Sequence, residues 1–493
     1  MNKIIGRIAK NAASFPQRIA LRSQDCEISY QELLQKIDEI ADYLRRESHK
    51  MAAIMASNCC EWIIFDLACL KAEVCFVAIP HFFSEEQISS LINSAAPTII
   101  LYDNSVYGTF FEACQDKSEF FGFKGFFAAK NPKNNKKSVK IDEKCAKITF
   151  TSGSTGNPKG VCLSRSQIEN VVFSLEKRVE IENIANNLSI LPLSILLENI
   201  AGVYLTLVCG GCAIILNEKE IGFEKSSKID FEQFAKALAK YDPTSFILVP
   251  EIAKILILLV KNGKVSPKNW KFIAVGGAKV AKSLIEETLS LKMPLYQGYG
   301  LSEFSSVVAL NCVKENKFGS VGKVLPHINI KIAEDGEILL KNNAFLGYLG
   351  EEKFLDEWYQ TGDIGEVDAD GFLWIMGRKK NIFITSFGRN INPEWLESEF
   401  LHSEKILQIA IFGEAQSFNT AIIFSNLNEK ELQKEVAKIN KNLPDYAQVE
   451  KIISVKEPFS AKNEMLTQNG RLRRDNISQL LGIPAMRGGA CAP

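Results

Sequence analysis

The sequence predicts an α/β fold: a large N-terminal domain of layered, mostly parallel sheets with helices, then a small C-terminal α+β domain. Three observations carry this. Short β-branched runs alternate with helical stretches through the first two thirds of the chain. From about Phe318 the texture changes to short strands separated by turn signals. The length, 493 residues, exceeds what one compact core accommodates, so two or more domains are expected.

The predicted strands of the first part are Ala72 to Ile79, Thr98 to Tyr102, Lys147 to Thr151, Ala213 to Leu216, Phe246 to Val249 and Phe272 to Val275. Between them the spacing of apolar residues predicts helices over Tyr30 to Arg46, Ser84 to Ser94 and Phe231 to Ala239. Lys130 to Lys140, KNPKNNKKSVK, has no apolar periodicity and is expected to be a solvated linker. Ile200 to Leu216 is the most apolar run. It is shorter than the roughly 20 residues that span a bilayer and is expected to be a buried helix running into a strand. In the later part, Glu334-Asp335-Gly336 and Asp368-Ala369-Asp370-Gly371 mark turns. A boundary near Arg378 to Asn381 divides the chain into residues 1–379 and residues 380–493.

Lys plus Arg and Asp plus Glu both total 58, so the formal net charge is zero. Binding to nucleic acid or an acidic membrane needs a basic excess, and neither partner is expected. The N-terminus, MNKIIGRIAKNAASF, has no apolar core of signal-peptide length, which argues against secretion. Twelve cysteines occur without a disulfide-like framework, as in a reducing cytoplasm. Cys209 and Cys212 form a CxxC inside the apolar run, where a buried structural role is expected rather than zinc or redox chemistry. The spacing of His49, His81, His327 and His402 suggests neither a metal site nor a nucleophile triad.

The strongest chemical signal is Ile148 to Val161, ITFTSGSTGNPKGV. A strand leads into Thr151, Ser152, Gly153, Ser154, Thr155 and Gly156, and then Lys159. Glycines let the backbone approach an anion, consecutive N–H groups can point inward, and the hydroxyls and Lys159 add donors and charge. This is chemistry for gripping polyphosphate. A Walker A loop would need Gly-Lys-Ser/Thr together, and here two residues separate Gly156 from Lys159. A flexible Ser/Gly linker is the alternative, opposed by the strand before the loop and the Pro-Lys-Gly after it.

TSGSTGNPKG resembles the phosphate loop of the adenylate-forming superfamily, which includes acyl-CoA synthetases, peptide-synthetase adenylation domains and luciferases. Further matches follow in the family's order over most of the chain. Tyr296 to Glu303, YQGYGLSE, resembles the segment in which Tyr299 would stack on adenine, Ser302 contact the α-phosphate and Glu303 help hold Mg²⁺. Gly276-Gly277-Ala278 resembles the small-residue stretch beside the adenine and acyl pockets. Tyr359 to Asp363, YQTGD, resembles the segment whose Asp363 would accept from the ribose hydroxyls. Gly377 to Lys380 resembles the inter-domain hinge, with Arg378 contacting the nucleotide and Lys380 at the pivot. ITSFGRNINPEWLE, Ile384 to Glu397, resembles the hairpin near the thiol-acceptor tunnel.

The subgroup most similar in these segments is the long-chain acyl-CoA synthetases. GRKKNIFITSFGRNINPEWLE, LPLSILLEN (Leu191 to Asn199) and LTQNGRLRR (Leu466 to Arg474) read like their versions. Three positions depart. Ile195 stands where many relatives have His, Asn199 where Arg is usual, and Arg471 where the superfamily has the lysine that bridges acyl carboxylate and α-phosphate. The charge at 471 persists, but a guanidinium fork differs in reach from an ammonium. The resemblance implies ATP and Mg²⁺ as cofactors, a carboxylic acid substrate of fatty-acid type, and a thiol acceptor, CoA or a carrier protein. The rival readings are a fatty-acyl-AMP ligase that loads a carrier protein and a nucleotide-binding pseudoenzyme without catalysis.

Overall fold

The computed structural model describes residues 2–112, 117–120, 122–130, 141–151, 158–179, 184–225, 228–387, 389–467 and 470–482. Most of the expected linker, residues 131–140, therefore lies outside the described residues.

Two large sheets organise the N-terminal part. The first has nine strands, six of them parallel at its centre, in the order Leu295–Tyr299, Phe272–Val275, Ser245–Leu248, Asn186–Ser189, Cys212–Ile215 and Ile19–Arg22. The second has eight strands around a parallel core of Cys145–Thr151, Cys75–Ala78, Met51–Met55 and Ile99–Asp103. Alternation within one strand shows how the layers form. Ala52 and Ile54 face a core shared with the first sheet, while Met51, Ala53 and Met55 face an outer layer with the helix Glu85–Ala95. A strand buried on both faces must be apolar at nearly every position, as Met51–Met55 is. The outer face of the first sheet is covered by helices Phe231–Tyr241, Pro250–Lys261 and Lys282–Ser290.

The expected elements fall close to their positions. The helix Tyr30–Arg46 starts at a capping box of Ser29 with Glu32, and Glu85–Ala95 at one of Ser84 with Gln87, so Ser84 is the cap rather than the first helical residue. The strand expected from Ala72 begins only at Cys75. Ala72 ends the helix Cys60–Ala72, and Glu73 turns the chain with φ 64°. That helix is apolar almost all round because it lies in the shared core, where no face meets water.

Its one buried charge, Asp66, accepts from Lys147 Nζ (2.8 Å), Tyr204 Oη (2.8 Å) and Asn199 Nδ2 (2.9 Å). Lys147 also donates to Asn199 Oδ1, and its ammonium lies 4.8 Å over the Tyr204 ring and 5.0 Å over that of Phe76. Asn199 thus serves a buried network that already contains a cation from the strand beneath. An Arg at 199 would place a second positive charge there.

The run from Ile200 is helical, as expected, but starts earlier and as a π-helix, Leu197–Tyr204, before the α-helix Leu205–Cys209 and the strand Cys212–Ile215. Glu198 is fully buried within it and accepts from the Leu191 N–H at 3.0 Å. Burial pushes its carboxyl up to about 8. The folded state therefore binds this proton more tightly than the unfolded chain. Stability from this group is greatest below pH 4.5 and declines as pH rises to about 8. Glu198→Gln removes that decline and stabilises the protein at pH 8 by on the order of 3–4 kcal/mol relative to the wild type. Denaturation midpoints from pH 5 to 9 test this; parallel profiles for the two proteins would contradict it.

After Phe318 the chain forms a four-stranded antiparallel sheet of Asn329–Ile332, Glu337–Lys341, Tyr359–Val367 and Leu373–Arg378. Both expected turns are present. Asp335 Oδ1 accepts from the Glu337 N–H, and Asp368 Oδ1 from those of Asp370 and Phe372. The small C-terminal α+β domain has its own core, built on the sheet Ile406–Phe412, Asn419–Ser425 and Val449–Val455 and the helices Pro393–Phe400 and Glu429–Asn440. Arg474 closes it with a bidentate pair to buried Glu397 (2.7 and 2.5 Å). Among the described residues, no helix is long and apolar enough to cross a membrane.

Candidate active site

The strands Cys145–Thr151 and Lys159–Ser164 form an antiparallel hairpin in which Thr151 sits directly opposite Lys159. The two residues mark the base of the phosphate-like loop. Ser152, Gly153, Ser154, Thr155 and Gly156 lie outside the described residues. Lys159 is half exposed. Its ammonium pairs with Glu351 at 3.0 Å and lies 4.7 Å over the ring of Tyr348.

A short strand, Gly347–Tyr348, pairs with the far side of that hairpin. It carries Tyr348 to Glu303, whose Oε1 accepts from the Tyr348 hydroxyl at 2.8 Å. The Glu303 carbonyl in turn accepts from the Phe345 N–H at 2.7 Å. Tyr359 completes this group; burial, and then the charge of Glu303, push its phenol up to about 12, so it remains a donor at neutral pH. Ser302 and Glu303 begin a 3₁₀ turn directly after the strand Leu295–Tyr299. Gly300 is required at that junction, because a Cβ there would lie 1.5 Å from the Ser306 carbonyl oxygen.

A second group centres on Asp363. Its Oδ2 accepts from the Tyr299 hydroxyl at 2.5 Å and its Oδ1 pairs with Arg378 Nε at 2.9 Å. Antiparallel register makes Asp363 and Arg378 direct cross-strand neighbours, and Arg378 also donates to the Thr361 carbonyl at 3.0 Å. Asp363 is buried, and burial raises its pKa against the opposing effects of Arg378 and Tyr299. An ionised carboxylate offers about four acceptor positions, so two remain for further donors.

Gly276, Gly277 and Ala278 follow the strand Phe272–Val275 at its carboxyl end. Gly277 takes φ 83°, a left-handed conformation that suits glycine. A Cβ at Gly276 would lie 4.0 Å from the Leu197 side chain, so the π-helix packs beside this stretch. Gly277 and Ala278 are exposed.

Arg471 comes from the C-terminal domain. It sits in a small hairpin, its N–H donating to Thr467 Oγ1 and its carbonyl accepting from the Thr467 N–H. The side chain is exposed and lies within electrostatic reach of both groups. Surrounding protein and the like charge of Arg378 lower its pKa, while Glu394, Asp363 and Glu303 act in the opposite sense. Both groups therefore act on one cation contributed by a segment more than a hundred residues away in sequence. Lys380, expected at a pivot, is exposed in the 3₁₀ turn Lys379–Asn381, beside Lys379, which pairs with Asp335 and Glu337 at 2.6 and 2.8 Å.

The structure thus gathers Lys159, Tyr299, Ser302, Glu303, Asp363, Arg378 and Arg471. Sequence reasoning missed Tyr348, Glu351 and Glu394. LGYLGE carries no chemical signature, and Glu394 lies in a segment that resembles only the acceptor hairpin, so these residues reach the site only through strand pairing and domain placement. Asn199 lies in the buried network instead, so its departure from Arg removes nothing from this site. His81 pairs with Glu218 at 3.1 Å, and His327 with Ser174 at 2.7 Å.

A family model described as AMP-binding enzyme matches residues 8–349. The chain is 39% identical over 161 residues to the long-chain-fatty-acid–CoA ligase FadD15 of Mycobacterium bovis, covering 31% of this chain and 27% of that ligase. It is 30% identical over 280 residues to the 2-succinylbenzoate–CoA ligase of Listeria monocytogenes serotype 4b, covering 55% of this chain and 56% of the relative. The chain thus spans about a quarter of the first relative and just over half of the second. In fold it is similar to the o-succinylbenzoate CoA synthetase of Bacillus subtilis solved with its acyl-adenylate intermediate. The TM-score is 0.74 at 21% identity, over 98% of this chain and 99% of that one.

Proposed function

The chain belongs to the AMP-binding enzyme family, and from that premise we propose that it activates a carboxylic acid with ATP and passes the acyl group to a thiol. The observation that carries this reading is that Glu303, Asp363 and Arg378, from separate segments, all act electrostatically on Arg471 of the C-terminal domain, while Tyr348 links Glu303 to Lys159. Both kinds of group that a nucleotide triphosphate needs are present: acceptors for ribose and cations for phosphate.

In the first half-reaction a carboxylate oxygen bonds to the α-phosphorus of ATP and the bond to the β-phosphate oxygen breaks, releasing pyrophosphate. In the second, a thiol sulfur attacks the acyl carbon, gives up its proton, and AMP leaves. No protein nucleophile is required; positioning and charge neutralisation do the catalysis. Thr151, Ser152, Gly153, Ser154, Thr155, Gly156 and Lys159 hold the β- and γ-phosphates. Lys159 leaves Glu351 to do so, exchanging one exposed carboxylate for the pyrophosphate. Ser302 and Arg471 meet the α-phosphate, Tyr299 stacks on adenine, and Gly277 and Ala278 border the adenine and acyl pockets. Glu303 fits a Mg²⁺ donor: its Oε1 accepts from Tyr348, which orients the carboxylate, and a carboxylate is a hard ligand. Mg²⁺ bound there supplies charge neutralisation to the phosphates. Residues 1–379 and 380–493 are the two working bodies, with Lys380 at the pivot between half-reactions.

Asp363 is assigned to the ribose. Asp363→Ala lowers AMP affinity by roughly 1.5–3 kcal/mol, about tenfold to a hundredfold, in calorimetry. Because burial raises its pKa, wild-type affinity falls on acidification from above the ordinary carboxylate range, and Asp363→Asn lacks this fall. Equal affinity in mutant and wild type removes Asp363 from the site.

A long-chain fatty acid is the substrate this reading favours, supported by the GRKKNIFITSFGRNINPEWLE segment and by the likeness to FadD15. An aromatic acid is the second reading, supported by the longer match to succinylbenzoate ligases. Acid-dependent ATP–pyrophosphate exchange across fatty acids of graded length and aromatic acids tests both. CoA and a phosphopantetheinylated carrier protein are then compared as acceptors. Exchange with none of the acids would favour a nucleotide-binding pseudoenzyme.

A further inference from the structure

Outside the candidate site, two cysteines from different layers meet. Cys26 lies in the exposed turn between the strands Ile19–Arg22 and Glu27–Ser29 at the edge of the nine-stranded sheet. Cys60 is the first residue of the buried helix Cys60–Ala72. Their sulfurs are 4.0 Å apart, within hydrogen-bonding reach, across 34 positions of sequence. Ser23 Oγ lies 3.3 Å from the Cys26 sulfur and accepts from the Cys26 N–H at 3.1 Å, fixing the turn. Cys26 borders a surface depression of about 410 Å³ that Arg22, Lys240 and Tyr241 also line, so small reagents reach it.

We propose that Cys26 and Cys60 form a reversible oxidation site: Cys26 is the thiol attacked by a hydroperoxide and Cys60 the thiol that resolves it into a disulfide. Two features beyond proximity suit these roles. Its hydrogen-bonding contacts with Cys60 and Ser23 lower the Cys26 pKa to about 6, outweighing burial and the charges of Glu61 and Asp25. Cys60 keeps its proton: its contact with Cys26 and its burial raise its pKa. One sulfur is thus a reachable thiolate and the other a protected thiol.

The steps balance. The Cys26 thiolate attacks the peroxide oxygen, the O–O bond breaks, and Cys26 becomes a sulfenic acid as the alkoxide or hydroxide leaves. The Cys60 sulfur then attacks the Cys26 sulfur, the S–O bond breaks, and the Cys60 proton leaves with the hydroxyl as water. A dithiol restores both thiols by exchange. Forming the bond of about 2.05 Å brings the sulfurs together by about 2 Å, a movement available to a turn at the surface. The bond ties the edge of one sheet to the helix buried between both sheets, and so raises the thermal midpoint of the oxidised form.

The reduced full-length protein is treated with stoichiometric hydrogen peroxide and mapped by mass spectrometry. Because Cys59 adjoins Cys60, a Cys59→Ser variant is mapped in parallel. The expected result is a Cys26–Cys60 crosslink in both proteins, reversed by dithiothreitol. In Cys60→Ser, a cyclic diketone probe captures the sulfenic acid on Cys26 instead. Alkylation of Cys26 in the reduced wild type is half-maximal near pH 6. A crosslink to Cys59 that disappears in Cys59→Ser, Cys26 left reduced, or alkylation half-maximal near the ordinary thiol value of about 8.5 overturns the proposal.

Discussion

Arg471→Ala lowers acid-dependent ATP–pyrophosphate exchange by about a hundredfold or more, close to 2.7 kcal/mol of transition-state stabilisation. Negative charge accumulates between the acid and the α-phosphate as their bond forms. Arg471 is the cation on which Glu303 and Asp363, from the two halves of the site, both act. On the proposed mechanism the thioester step begins from a formed adenylate with the small domain rotated away, where this residue would not face the reaction. Thioester formation from supplied acyl-AMP is therefore retained in Arg471→Ala. Arg471→Lys keeps or raises exchange, since an ammonium satisfies the same charge. Exchange untouched by Arg471→Ala would make Arg471 a surface residue, and exchange present only in Arg471→Lys would make the natural protein a pseudoenzyme.

Asp66→Ala destabilises the protein by about 3–5 kcal/mol, because it leaves Lys147 buried without its counter-charge. Burial already lowers the Lys147 pKa, so the variant relieves part of this cost by releasing the proton. The double variant Asp66→Leu/Lys147→Met replaces both charges with apolar volume and recovers most of the loss. Urea denaturation of the three proteins provides the test. A double variant as unstable as Asp66→Ala would locate the loss in packing rather than charge. The experiment also bears on Asn199 and Tyr204, whose side chains both donate to Asp66 and accept from Lys147.

Much of the fold was legible in the sequence because its signals are local. The helix Tyr30–Arg46 is fixed by apolar spacing and a capping box within four residues of its start. The strand Phe272–Val275 is a β-branched and aromatic run buried among parallel neighbours. Asp335-Gly336 and Asp368 to Gly371 mark hairpin turns through their own side-chain bonds. Boundaries shifted where a neighbour overruled local pattern. Ala72 stayed helical because the helix Cys60–Ala72 fits the shared core, and the π-helix at Leu197 was invisible because a segment buried almost throughout has no apolar period for an extra residue per turn to shift.

The site was legible in part for the same reason. YQGYGLSE, YQTGD and GRKK each carry their chemistry in a few consecutive residues, so the sequence by itself determined which types of side chain are present and in what order. Their meeting was decided by the tertiary structure. Asp363 meets Arg378 through antiparallel register, and Glu303 meets Tyr348 because Gly347–Tyr348 pairs with the strand Lys159–Ser164. The pairs with no local signal at all, Asp66 with Lys147 and Cys26 with Cys60, join elements separated by 81 and 34 positions. Chain periodicity specifies which face a residue turns inward. Only the closure of two sheets around one core specifies what it finds there.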